Sequence, residues 1–524
     1  MAKPRGFRTL FDLTGPAAAL AVVVAWAAPA LADGGIPRGY NMLFEPGNPS
    51  HVVVRSQYWG LFDGQVSSPN FTLLCSQAYS GQALNADDYP TVVAQGGRIL
   101  VAAGFGGLNV SDDTCNWKMV DQFNGESVQS IAPMDSTGKS FIVVTVLGMN
   151  GGVVSKVYTS SDRGDNWAPV KGTIQMNVSV SGVGVAPSDP KRIYVVGVVI
   201  NSGPRMIAVS KDGGDTFTML PVGAMTDYDP TQIAPLSVDG IVPNNPDTLF
   251  VRADGGDMAG AMSPDELWVS SDAGMTWKKT YQPMMDLPGF TFTPDGNSVL
   301  ISGPMEGILQ ASLADAVAAK SGAFLKIYSG QVWGLAYNDG KLYAGNDDYN
   351  MKPSFMVGVS TDNGKTFQKV TGKCDVSFPT CDASSTMQSV CLEQWTRQGG
   401  YVTDYLELAC GQGAAGAAGA TSVGGAGGVA VGASGSVGYG GTTWASSAAG
   451  GTPGVVVTPL GGQGGTANDL GGYGGSAMHV GVKSSGCSVG APGTAGSDQT
   501  TWVVAATALG AVVMRRRRKA VQAG

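Results

Sequence analysis

Carboxylates are the side chains best placed to do chemistry in this chain, and several stand close together in stretches that read as loops: Asp87 and Asp88, Asp254 and Asp257, Asp347 and Asp348. Two carboxylates facing each other across a groove are the equipment of glycoside hydrolysis, one serving as acid and the other as nucleophile or base. Neighbouring acids in loops also suit calcium, or are solvated turn residues with no ligand. Histidine is nearly absent. His479 lies in a Gly-rich tract, and His51 opens the apolar stretch Ser50-His51-Val52-Val53-Val54, where it reads as packing. A Ser-His-Asp or Cys-His centre therefore lacks its base, and a His-rich metal site lacks its ligands. No cofactor is expected. Tyr58 and Trp59, and Trp333 in a similar Trp-Gly-Leu setting, are sugar platforms if exposed and core residues if not.

Cysteine usage points to an oxidising compartment. Cys75, Cys115, Cys374, Cys381, Cys391 and Cys410 fall in one part of the chain, and Cys487 stands alone near its end. An even set in an exported chain predicts disulfides. Clustering favours a Cys75–Cys115 bridge, with two more among the other four, whose pairing stays open. These cysteines show no C-x-x-C spacing and no neighbouring His, which argues against zinc.

Both ends carry export signals. Lys3, Arg5 and Arg8 precede an apolar run from Pro16 to Ala28, and Ala30-Leu31-Ala32 supplies a small-x-small cleavage pattern. Residues 1–32 are therefore expected to be a signal peptide, with Asp33 the first residue of the mature chain. At the other end the apolar stretch Trp502–Met514 runs into Arg515-Arg516-Arg517-Arg518-Lys519. Basic residues stay cytoplasmic, which places the body outside. Both runs fall short of the roughly 20 residues a membrane span needs. Cys487, a small-residue spacer, the short apolar helix and the Arg cluster together resemble the MYXO-CTERM sorting tail of myxobacterial surface proteins. The resemblance covers residues 486–524. It implies that export and sorting machinery processes the chain through the inner membrane, cuts it near Cys487 and attaches it to the cell surface or outer membrane. A plain C-terminal membrane anchor is the alternative. Membrane contact is expected only through this tail.

Composition divides what lies between. Glycine makes up 78 of 524 residues, with the excess in 411–485, a nearly uncharged tract of Gly, Ala, Ser, Val and Thr. Such a tract cannot bury enough apolar area to offset its ordering entropy and is read as a flexible stalk. Without the terminal signals, 24 Lys and Arg face 38 Asp and Glu, a balance near −14. An acidic body with no basic stripe excludes nucleic acid as a partner.

The elements that must hold these residues announce themselves as repeats. Four segments share Ser-x-Asp-x-Gly-x-Thr/Asn-aromatic: Ser160, Asp162, Gly164 and Trp167; Ser210, Asp212, Gly214 and Phe217; Ser270, Asp272, Gly274 and Trp277; Ser360, Asp362, Gly364 and Phe367. A fifth, Ser111 to Trp117 around Asp113, is one residue short and lacks the glycine. The Ser and Asp side chains suit turn amides, glycine permits positive φ, and the aromatic packs between sheets. The pattern resembles the Asp-box, or BNR repeat, of sialidases, sortilin-like receptors and several propeller glycosidases. A second repeat counts modules. Strand–turn–strand units recur at Pro46, Gln95, Pro133, Pro187, Pro243, Pro294 and Asn338, at blade-like intervals of 38 to 56 residues. Together they predict an all-β, seven-bladed propeller across 36–372, with six blades as the alternative. Residues 373–410 then form a small Cys-rich appendage.

The sialidase resemblance implies three arginines around a substrate carboxylate, one in an Arg-Ile-Pro signature. That signature is missing here, where Ile36-Pro37 precedes Arg38, and the propeller otherwise offers only Arg55, Arg98, Arg163, Arg192, Arg205 and Arg252. Sialidase activity is accordingly not expected. The leading expectation is a surface binding module for a glycan or a surface protein, because propellers present functional groups on loops across a broad face. A carbohydrate-active hydrolase and a passive coat protein are the alternatives.

Overall fold

The computed structural model describes residues 38–396 and Cys410, apart from residue 58 and the short segments 82–88, 150–151, 201–204, 223–234, 256, 259–260, 263 and 349–353. The signal peptide, stalk and sorting tail with Cys487 lie outside the described residues.

Seven four-stranded antiparallel meanders follow one another along the chain, over residues 38–74, 91–119, 127–169, 178–221, 236–281, 289–328 and 334–371. Their middle strands read as continuous apolar runs, as in Ile99–Ala102, because each sheet is covered on both faces by its neighbours. The innermost strands run Arg38–Glu45, Thr91–Val93, Ser127–Pro133, Val178–Ala186, Leu236–Ile241, Gly289–Phe292 and Gly334–Asn338. Each touches the next, and the last touches the first. The ring is a closed seven-bladed β-propeller. All seven turns counted in the sequence are the first hairpin of a blade.

The four antiparallel strands of every blade, blade 1 included, come from one continuous segment, so none of the four is exchanged to close the ring. Closure depends on close backbone approach. Gly39 N–H donates to the Asn346 carbonyl at 3.1 Å. A Cβ on Gly345 would lie 2.1 Å from the Gly39 carbonyl oxygen, so this seam admits only glycine. Above it Tyr40 packs on Trp333 with ring centroids 5.5 Å apart.

The appendage fastens the seam from outside. Val376–Ser377 adds a parallel strand to Phe71–Leu74, the outer strand of blade 1. The bridges are Cys75–Cys391, Cys115–Cys381 and Cys374–Cys410. The Cys75–Cys115 pairing expected from clustering is therefore incorrect. Ring closure returns the chain's last segment to blades 1 and 2, so cysteines 316 and 266 residues apart become neighbours. A helix, Thr386–Thr396, carries Cys391, and the Met387 N–H donates to the Cys115 carbonyl at 3.0 Å.

A meander sends alternate turns to opposite ends, which gives the propeller two unlike faces. The first and third hairpins of every blade emerge on one face, where all the repeat turns lie. The second hairpins and the connections between blades emerge on the other, here called the connection face.

Candidate functional site

The repeat turns are built from local hydrogen bonds. In the turn of blade 5, Ser270 Oγ donates to Asp272 Oδ1 at 2.8 Å and accepts from Gly274 N–H at 2.8 Å. Asp272 also accepts from Thr276 N–H at 2.8 Å and Thr276 Oγ1 at 2.6 Å. Trp277 Nε1 closes the loop on the Gly274 carbonyl at 3.0 Å. The turns containing Asp162, Asp212 and Asp362 repeat the Ser-to-Asp and Asp-to-amide bonds. The short turn keeps them through Asp113, whose Oδ1 accepts from Cys115 and Asn116 N–H. Thr114 has a φ of 60°, as do the residues that follow the box Asp in the complete turns, Arg163 at 64°, Ala273 at 60° and Asn363 at 58°. Each turn also presses on the preceding blade. A Cβ on Gly364, at φ +85°, would come 2.9 Å from Leu342 and 3.3 Å from Ile327 of blade 6. Thr366 hydrogen bonds hold Asp362 at about 2, and the equivalent bonds from Thr216 do the same for Asp212. These side chains are spent on the turn.

Charge is concentrated at the connection-face end of blade 5. Arg252, on the second strand Leu249–Ala253, is buried among three carboxylates. Asp254 Oδ1 lies 3.1 Å from it, Asp239 Oδ1 3.7 Å and Asp265 Oδ2 4.0 Å. Arg252 Nη1 donates to the Leu287 carbonyl at 2.5 Å, and Asp265 accepts from Gly255 N–H at 2.9 Å and Leu287 N–H at 2.7 Å. The cluster thus ties the second hairpin of blade 5 to the connection into blade 6. Burial pushes the Asp254 carboxyl up to about 8 and that of Asp239 up to about 6, despite the attraction of Arg252. Three acids around one guanidinium in a dry site cannot all ionise at little cost. All four groups are less than a tenth exposed, which leaves no groove for a polysaccharide between them. Sequence reasoning reached Asp254 but missed Asp239 and Asp265. The Ser237-Val238-Asp239 alternation inside an apolar strand was the available signal.

The other sequence candidates are dispersed. Asp347 is buried beside Gln331, and Asp348 accepts from Lys373 N–H at 3.0 Å, a contact that holds the appendage. Asp87, Asp88, the Asp257 side chain and Tyr58 lie outside the described residues. Trp59 and Trp333 are 1% and 5% exposed, so they are core residues and offer no platform. His51 is buried as expected, yet it does more than pack. Its Nδ1 lies 2.8 Å from Glu45 Oε2 and its Nε2 2.7 Å from Asp63 Oδ1. Glu45 Oε1 in turn accepts from Gly96 and Gly97 N–H, joining blade 1 to blade 2. Among the arginines, Arg98 pairs with Asp112 at 2.6 Å and Arg192 with Asp247 at 2.8 Å. No group of three or more His, Cys, Asp or Glu residues is arranged to hold a metal among the described residues.

Two features remain open to solvent. A groove of about 500 Å³ between blades 6 and 7 is lined by Tyr328, Phe355, Phe367, Ser329, Ser354 and Lys369. Its ammonium is already engaged with Asp375 at 2.7 Å. The connection face is the other. Phe105, Met176, Met284 and Met305 project from its loops and Met149 from the end of strand Phe141–Met149, with Phe105 89% and Met284 75% exposed; on the other face Met275, in the blade 5 turn, is exposed too.

No family model and no curated protein matches the chain. Solved structures with similar folds include the GH74 enzyme of Niastella koreensis, at 13% identity and TM-score 0.35, covering 64% of this chain and 46% of that one. They also include an ancestral GH74 enzyme, at 14% identity and TM-score 0.44, covering 67% and 48%. A Hadza microbial sialidase is similar at 13% identity and TM-score 0.33, over 52% and 64%. The chain spans about half the length of the two GH74 enzymes.

Proposed function

We propose that this chain is an exported, surface-attached recognition module that captures a protein ligand on its connection face. One observation carries the reading: five large apolar side chains stand exposed on that face, against Met275 on the repeat turns of the other, while the acids described there form no open facing pair. Methionine and phenylalanine are costly to leave in water and adapt to varied partner surfaces, which favours a protein ligand. The burial of Trp59 and Trp333 removes the platforms that favoured a glycan. Export is supported by three disulfides, two of them joining the ends of the propeller, since such bridges persist in oxidising compartments. The stalk and sorting tail would then hold the propeller away from the surface.

The test is site-specific photo-crosslinking on the producing cell. A photoreactive residue at Phe105 is expected to capture a discrete partner, and one at Leu325, exposed on an outer strand, is not. Equal labelling at both positions, or release of sugar from a polysaccharide panel by the purified protein, overturns the reading.

A further inference from the structure

Sulfur dominates what the connection face leaves exposed. Among the described residues of the seven blades, seven large hydrophobic side chains are exposed, and five of them are methionine: Met149, Met176, Met284 and Met305 on the connection face and Met275 on the other. Met42, Met206, Met356 and Met387 are instead enclosed in the core. The four connection-face thioethers stand in two neighbourhoods. Asn177 N–H donates to the Val153 carbonyl at 2.9 Å, which sets Met176 beside the hairpin that follows Met149. Met284 N–H donates to Glu306 Oε1 at 2.7 Å, which sets Met284 beside the hairpin that carries Met305. The groups that would compete for an oxidant are withdrawn. Six described cysteines are consumed in three bridges, and the six tryptophans of the blades are each less than a tenth exposed.

We infer that Met149, Met176, Met284 and Met305 are a modification site: peroxide oxidises them to sulfoxides and thereby switches off capture on this face. The inference rests on the protein-binding reading above and adds its regulation. In each reaction a sulfur lone pair attacks one peroxide oxygen, so that an S–O bond forms and the O–O bond breaks. Sulfur loses two electrons, and the departing hydroxide takes the proton of the transferred oxygen and leaves as water. The product side chain is polar and chiral where the thioether was flexible and apolar. A partner seated against those thioethers then loses the apolar burial that held it. Two features keep the change local. Backbone N–H groups, and not the thioethers, fasten these loops, and the core methionines are closed to an oxidant in solvent. Leucine or isoleucine at the same positions would bury as well and would carry no such switch.

The experiment takes the purified mature protein with the photoreactive residue in place of Phe105 and treats it with hydrogen peroxide. Catalase removes the excess, and the protein is returned to cells that lack the chain. Peptide mass spectrometry should find one added oxygen on the four connection-face methionines and on Met275 at least about tenfold sooner than on Met42, Met206, Met356 and Met387. Crosslinking of the partner should fall by about tenfold once the four are oxidised, with the melting temperature unchanged. Met149→Leu, Met176→Leu, Met284→Leu and Met305→Leu together keep the apolar area without the thioethers, so this variant should crosslink alike before and after peroxide. Met275→Leu alone should leave the peroxide sensitivity as it was. Full crosslinking by protein whose four methionines are oxidised overturns the inference and leaves the face reading intact. Equal loss on peroxide in the fourfold Leu variant places the damage elsewhere and overturns it too. Absence of the crosslink before any treatment removes both.

Discussion

His51 illustrates how a single residue can look inert in sequence and still carry pH dependence. Its hydrogen bonds to Asp63 and Glu45 favour the imidazolium against the cost of burial, so its pKa lies above the ordinary 6.5. A raised folded pKa means that the stabilisation is complete below the unfolded value and is lost as pH rises through the folded one. His51→Gln should therefore lower the melting temperature most at about pH 5 and least at about pH 9. A penalty that grew with pH would refute the clamp. Asp272 works on local geometry instead. Removing its carboxylate frees turn donors that water can reach, so Asp272→Ala should cost about 1 kcal/mol in chemical denaturation, with crosslinking at Phe105 unaffected. Arg252 is the harsher case, because its loss strands buried acids. Arg252→Met should cost about 3–5 kcal/mol at neutral pH, and restoring much of this at pH 5 would show that uncompensated carboxylates are the cause.

The appendage is the element on which ring closure turns. Blade 1 contributes no strand to blade 7, so the seam between them is held by packing, by the Gly39 bond, by Asn338 Nδ2 donating to the Pro49 carbonyl and Thr371 Oγ1 to the Pro69 carbonyl, and by what lies outside it. The parallel strand Val376–Ser377 and two long-range bridges supply that outside fastening. Cys75→Ser with Cys391→Ser should destabilise the protein by about 2–5 kcal/mol, less than the loop length alone suggests because the second bridge still constrains the same ends. Hydrogen exchange should then rise first along Arg38–Glu45 and Gly334–Asn338. Uniform exchange through all seven blades would mean that the appendage merely decorates the ring. Where a complete repeat turn is present, in blades 3, 4, 5 and 7, its glycine sits against the blade before it.

At the scale of the molecule, the meander sorts side chains by face. Third hairpins carry the repeat turns, so one face is consumed by internal bonds. The other is left to second hairpins and inter-blade connections, where no turn chemistry restricts residue type. Most of the exposed methionines stand on the second side, with Met275 in the blade 5 turn the exception, and the proposed surface attachment would leave that side available. Mass spectrometry of the surface form is expected to find Asp33 as the N-terminal residue and no peptide containing Arg515–Lys519. Recovery of that peptide on mature protein would refute the sorting tail.

What the sequence determined by itself is what depends on short stretches of chain. Ser270, Asp272 and Gly274 satisfy one another within five residues, and Pro294 and Asn338 mark hairpins whose strands pair with their immediate neighbours. Turn type, blade count and all-β class were legible for that reason. Only the closed ring decided the rest. It set Cys75 against Cys391, buried Trp59 and Trp333, and gathered Asp239, Asp254 and Asp265 around Arg252. Each of those outcomes depends on where one segment lies relative to another, and alternation along a strand says that a side chain faces inward without saying what it will meet.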